Sequence, residues 1–229
     1  MAVRALNTTR HMNGVETMRF EIIHDHVIGV DADGVRALVD TGSPTSFGDR
    51  SFRLGTAMTP VKAGPCSMSM LSEKVGSPID ALLGMDLLGR SPLVLPFVGR
   101  GTRPRTTLGI TSLQGLPLII TRFEDREVRA VLDTGACVCF LDTLPPSSAA
   151  NATPYRDFLG MDGCRDFETV KTTLKVDIGG VSLSVDVAKA PEETLQTMSS
   201  FGIEAIVGMS FLRHFDVTLD MPKGTLTLE

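Results

Sequence analysis

Two carboxylates stand in matching settings. Asp40 closes the run Val35-Arg36-Ala37-Leu38-Val39 and is followed by Thr41-Gly42; Asp133 closes Val128-Arg129-Ala130-Val131-Leu132 and is followed by Thr134-Gly135. A carboxylate at the end of a buried apolar strand is costly unless it is hydrogen-bonded. Gly42 and Gly135 let the chain turn tightly and bring backbone N–H groups to the acid. Thr41 and Thr134 offer hydroxyls that can bond across to the other copy. Two such loops related by a twofold would set Asp40 and Asp133 face to face. Carboxyls about 3 Å apart cannot both ionise near neutral pH, so they share one proton and titrate as a unit. One member can then take a proton from water while the other polarises a carbonyl. That is the chemistry of amide hydrolysis without a covalent intermediate.

The elements that must hold these acids are also duplicated. Phe47 and Phe140 occupy matching positions beyond the two glycines, and Ile79-Asp80-Ala81-Leu82-Leu83-Gly84-Met85 is matched by Ile203-Glu204-Ala205-Ile206-Val207-Gly208-Met209. The pairs occur in the same order, so one unit is used twice. The second unit carries more chain between its two motifs. Short β-rich runs bounded by turn residues predict strands over MRFEII, HVIGVDA, VRALVD, LPLIITRF and EVRAVLD. Gly179-Gly180 predicts a hairpin between two alternating runs. Helices are expected only at PEETLQTMSSFG, with Pro191 at its first position, and as short turns at GMDLLGR and GMSFLRH. Closing strand pairs are expected around Pro222-Lys223-Gly224 and around Gly99-Arg100-Gly101. The predicted class is all-β, mainly antiparallel with few short helices, in two lobes: a tail over 1–17, a first lobe over 18–110 and a second over 111–229.

The totals exclude other classes. The net charge is −5 and no basic run appears, which argues against nucleic acid. No apolar run reaches the length of a membrane span, and the first twenty residues carry no apolar leader. The expected compartment is the cytoplasm. Cys66, Cys137, Cys139 and Cys164 have no disulfide-framework spacing and read as reduced thiols. Cys137, Cys139 and Cys164 together are one ligand short of a closed metal site. His24 and His26 share a strand face and read as a solvated edge rather than a metal pair. EDREVR (124–129) reads as a charged hairpin turn. No metal and no cofactor are expected.

The chain resembles the aspartic protease clan. The residues that carry the likeness are Asp40-Thr41-Gly42-Ser43 with Leu82-Leu83-Gly84, and Asp133-Thr134-Gly135-Ala136 with Ile206-Val207-Gly208. The resemblance implies a bilobal acid-protease fold with pseudo-twofold symmetry, similar to two retropepsin-like units in tandem or a minimal pepsin. It implies Asp40 and Asp133 as catalytic residues, with Thr41, Gly42, Ser43, Thr134, Gly135 and Ala136 supporting the loops. The implied activity is that of an endopeptidase acting as a single chain on extended polypeptide with apolar residues at the scissile bond. A catalytically inactive peptide-binding or scaffold protein of the same fold is the alternative. By the same resemblance, a hydroxyl at position 43 donates to the neighbouring carboxylate, and activity falls on the acid side of neutral. Pepsins carry a flap tyrosine that this chain does not match. The first-lobe flap is expected within TPVKAGPCSMSM (59–70).

Overall fold

The structure is a computed structural model that describes residues 4–6, 18–98, 106–160 and 164–229. Most of the tail expected over 1–17 lies outside those residues, as do 99–105, next to the expected boundary between the lobes. Arg4–Leu6 is described, and it forms a strand.

The first half runs β1 (Arg4–Leu6), β2 (Arg19–Ile23), β3 (His26–Val30), β4 (Arg36–Val39), β5 (Phe47–Gly48), the small hairpin β6 (Arg53–Leu54) and β7 (Ala57–Met58), α1 (Met68–Val75), β8 (Ala81–Leu83), α2 (Met85–Leu88) and β9 (Leu93–Pro96). The second half runs β10 (Thr106–Gly109), β11 (Thr111–Leu113), β12 (Leu116–Phe123), β13 (Arg126–Leu132), β14 (Cys139–Leu141), α3 (Pro146–Ala149), β15 (Thr153–Leu159), β16 (Arg165–Ile178), β17 (Val181–Lys189), α4 (Glu192–Ser200), β18 (Ala205–Val207), α5 (Met209–Leu212), β19 (Asp216–Asp220) and β20 (Thr225–Leu228). The chain is mostly β, as expected.

The repeat is visible in the registers. β4 lies parallel to β8, with Ala37, Leu38 and Val39 opposite Ala81, Leu82 and Leu83. β13 lies parallel to β18, with Ala130, Val131 and Leu132 opposite Ala205, Ile206 and Val207. β5 and β14 run antiparallel to the far edges of β8 and β18. These strands are continuous apolar runs because both their faces are covered. Ala37, Val39, Ala130 and Leu132 enter one core shared by both halves. Leu38 points into an outer core of the first half, and Val131 into an outer core of the second.

The repeated charged residues hold these registers. The main-chain N–H of Arg36 donates to Asp80 Oδ2 (2.9 Å), and that of Arg129 donates to Glu204 Oε2 (3.2 Å). The N–H groups of Asp80 and Glu204 return bonds to the carbonyls of Arg36 and Arg129. Arg126, in the charged turn, forks onto Asp142 (2.7 and 3.0 Å) and reaches Glu204 (2.7 Å). It therefore ties the β12–β13 hairpin to the neighbouring strand ends, beyond the simple turn expected there.

Three expectations need correction. The closing strands of the first unit do not pair with each other: β9 pairs with β19 and β10 with β20, giving the order β10-β20-β19-β9. A lone hairpin has two open edges, and the split pair satisfies both. Secondly, residues 68–70 of the expected flap are the first turn of α1. Ser67 caps this helix by accepting from Met70 N–H, Met68, Leu71 and Val75 form its buried face, and Gly76 ends it at φ 74°. Thirdly, β15 was not expected, and it pairs along its whole length with β16, from Thr153 opposite Lys171 to Leu159 opposite Arg165. The hairpin at Gly179-Gly180 is present, with both glycines at positive φ. α4 starts one residue later than expected, with Pro191 as its cap.

Candidate active site

β4 and β13 each deliver their aspartate at the strand end. Asp40 N–H donates to Leu83 carbonyl and Asp133 N–H to Val207 carbonyl, both at 3.0 Å. The chain then turns back on its own acid. Gly42 N–H donates to Asp40 Oδ1 (2.9 Å) and Gly135 N–H to Asp133 Oδ1 (2.7 Å). Behind each loop the second motif threads past: Met85 N–H donates to Ser43 carbonyl and Met209 N–H to Ala136 carbonyl, each 2.8 Å. A methyl group on Gly84 would overlap the main chain of Thr45, and one on Gly208 that of Val138.

The threonines join the loops. Thr41 Oγ1 donates to Leu132 carbonyl (2.9 Å) and accepts from Thr134 N–H (3.0 Å). Thr134 Oγ1 donates to Val39 carbonyl (2.6 Å) and accepts from Thr41 N–H (3.1 Å). Both side chains are buried, so each bond satisfies a group that water cannot reach.

This lattice brings the acids together. A methyl on Gly42 would overlap the Asp133 carboxyl, and one on Gly135 would crowd the Asp40 carboxyl. Glycine is required here for close approach, not for its dihedral freedom. Asp40 is hydrogen-bonded to Asp133, and both are half-buried. Burial, then the Asp133 charge and the shared hydrogen bond, push the Asp40 carboxyl well above its ordinary range. Burial raises Asp133 too, but the Gly135 N–H and the bond from Asp40 oppose it. The arrangement favours one proton shared by the pair, which titrates as a unit.

The remaining site expectations divide. Ala136 and Ser43 sit symmetrically, but Ser43 Oγ donates to Thr45 carbonyl (3.0 Å) and so is turned away from the dyad. The expected hydroxyl-to-carboxylate bond is not made, because the adjacent turn offers a nearer acceptor. Sequence reading also missed a supporting layer. Ser46 Oγ bonds Asp86 and accepts from Gly84 N–H (2.9 Å). In the second half Cys139 and Ser210 take the same places, with Cys139 N–H donating to Ser210 Oγ (3.0 Å). Aligning the two copies column by column carries that signal.

The cysteines depart from the expected thiols. Cys66 and Cys164 form a disulfide, with Cα atoms 5.4 Å apart. Cys164 is thereby unavailable to a metal site with Cys137 and Cys139, which remain free. The histidines do not share a strand face. His24 is exposed in the turn between β2 and β3, with its Nδ1 bonded to Val75 carbonyl, while His26 is not solvated but buried, with its Nε2 3.5 Å from Cys137 Sγ. Burial lowers the His26 pKa and raises that of the Cys137 thiol. A polar cavity lined by Ser147, Asn151, Lys171 and Asp186 takes no residue from the two Asp-Thr-Gly loops. Among the described residues no helix is long and apolar enough to cross a membrane.

No protein-family model matches the chain, and no curated protein matches it in sequence. Solved structures do. A retropepsin-like aspartic protease from Rickettsia conorii is 19% identical, with 60% of this chain and 92% of that chain covered at a TM-score of 0.40. Basic 7S globulin from soybean is 10% identical, with 93% and 90% covered at a TM-score of 0.41. Both likenesses are low, and the geometry of the two loops carries the functional reading.

Proposed function

We propose that the chain is an aspartic endopeptidase that works as one catalytic unit, with lobes over 18–110 and 111–229. The observation that carries this reading is the reciprocal seating of the acids, each carboxyl lying against the other loop's glycine. In this reading a substrate water binds between Asp40 and Asp133. The ionised member of the pair takes its proton as the oxygen attacks the scissile carbonyl, while the protonated member donates its proton to the carbonyl oxygen. The tetrahedral intermediate collapses as the amine leaves with a proton from the pair, and no bond to the enzyme forms. The substrate class is extended polypeptide, bound as a strand with apolar side chains at the scissile bond.

The test is a peptide-library digest read by mass spectrometry, with Asp40→Asn and Asp133→Asn beside the parent chain. Each amide removes either the base or the acid, so each variant should lose about 10²–10⁴-fold in kcat/KM while remaining folded. Near-parental turnover by either variant would refute the assignment. Absence of fragments from the parent chain across the pH range would favour a non-catalytic peptide-binding protein.

A further inference from the structure

The two halves differ in the segment between their repeated motifs. Between β5 and α1 the first half has only the two-residue strands β6 and β7, whereas the second half has the long β15–β16 hairpin. That hairpin belongs to the second-half sheet through β17, yet its far end is anchored in the first half. Cys164 is buried in the first-half outer core with Cys66, Leu71 and Val75, and Phe158 packs against the same cluster. Lys74 of α1 pairs with Asp166 of β16. The Phe158 ring lies 5.8 Å from that of His26, and His26 touches Cys137, four positions beyond Asp133. Asp157 lies close enough to act on both His26 and Cys137. The hairpin thus passes from one half to the other beside the catalytic loops.

The disulfide is the covalent part of that anchor, and it closes a ring. From Asp40 the chain runs to Cys66, crosses to Cys164, and returns to Asp133. The threonine lattice joins the two catalytic loops beneath. We infer that the Cys66–Cys164 bond is a redox latch that makes the cleft a closed passage: oxidised, it admits only polypeptide that can thread a free end, and reduced, it admits internal segments from the side. The consequence for substrates rests on the peptidase reading; the latch itself does not. Opening requires a dithiol reductant. One of its thiolates attacks a latch sulfur, the S–S bond breaks, and its second thiolate displaces the mixed disulfide. Two electrons and two protons pass to Cys66 and Cys164, and the reductant leaves as its own disulfide. Both sulfurs are buried, so attack follows local opening of the hairpin.

The experiment uses the full chain and one cleavable sequence in two forms: a free linear peptide, and the same sequence as a linker between two folded domains. The oxidised enzyme should cleave the free peptide and leave the flanked linker at least about tenfold slower. Dithiothreitol, or Cys164→Ser, should bring the two rates together. Hydrogen exchange in β15 and β16, measured on the same samples, should rise on reduction. Equal cleavage of both forms by the oxidised enzyme, or exchange in the hairpin unchanged by reduction, would overturn the latch. If neither form is cleaved in either state while exchange rises, the peptidase reading fails and the latch stands. Should Cys164→Ser not fold, reduction of the parent chain carries the same comparison.

Discussion

At the scale of single residues, the dyad joins function to stability. Asp40 and Asp133 both have carboxyls raised above the ordinary value of 3.8, chiefly by burial. A carboxyl raised on folding binds its proton more tightly in the native state. Its contribution is therefore favourable below the unfolded pKa and is lost as pH rises through the folded one. Asp40→Asn removes that dependence. The variant should melt at a higher temperature than the parent at neutral pH, and the gap should close as pH falls below about 4. Thermal denaturation across pH reads this directly, and a gap that widened in acid would contradict the raised pKa. Ser43 gives a second prediction. Its hydroxyl is committed to Thr45 carbonyl. Ser43→Ala should leave the acid limb of the pH–rate profile in place, and a shift of that limb would show that the hydroxyl reaches the dyad during turnover.

At the scale of elements, the two Asp-Thr-Gly loops are held by four hydrogen bonds rather than by packing alone. Each threonine hydroxyl donates once and accepts once across the pseudo-twofold. Thr41→Val preserves volume but strands the buried Leu132 carbonyl and Thr134 N–H. The cost should be about 1–3 kcal/mol for each group left unpaired. Urea denaturation should show a lower midpoint with an unchanged slope. Activity should fall further than stability alone requires, because the loops set the separation of the acids. A variant as stable as the parent would mean that water satisfies both groups.

At the scale of the whole molecule, both acids and the closing sheet come from one chain. The β19–β20 hairpin is flanked by β9 from the first half and by β10. Strand edges that another copy would otherwise fill are therefore occupied internally. A mixture of Asp40→Asn and Asp133→Asn chains should recover no activity, because neither contains an intact pair. Recovery toward about a quarter of the parental rate, the statistical yield of intact pairs in an equal mixture, measured after co-refolding, would show exchange of halves between chains.

The acids, their glycines and threonines, the duplicated strands and the mostly β class were legible from composition and repetition alone. Local rules sufficed there: apolar runs end at turn residues, and two copies confirm each other. Other features depended on contacts distant in sequence. Cys66 and Cys164 are separated by 98 positions, and only the meeting of a hairpin with the opposite half joins them. The Ser-Met alternation of 67–70 carries a period of two, yet those residues enter a helix because Met68, Leu71 and Val75 find a core to fill. β15, with a proline and two charges, lacks an apolar face of its own and becomes a strand by pairing with β16. The direction of the Ser43 hydroxyl was decided by the nearest acceptor in the folded loop. The sequence alone determined which groups meet at the centre. The tertiary structure decided how the cleft is covered and closed, because that cover is made from residues whose partners lie in the other half.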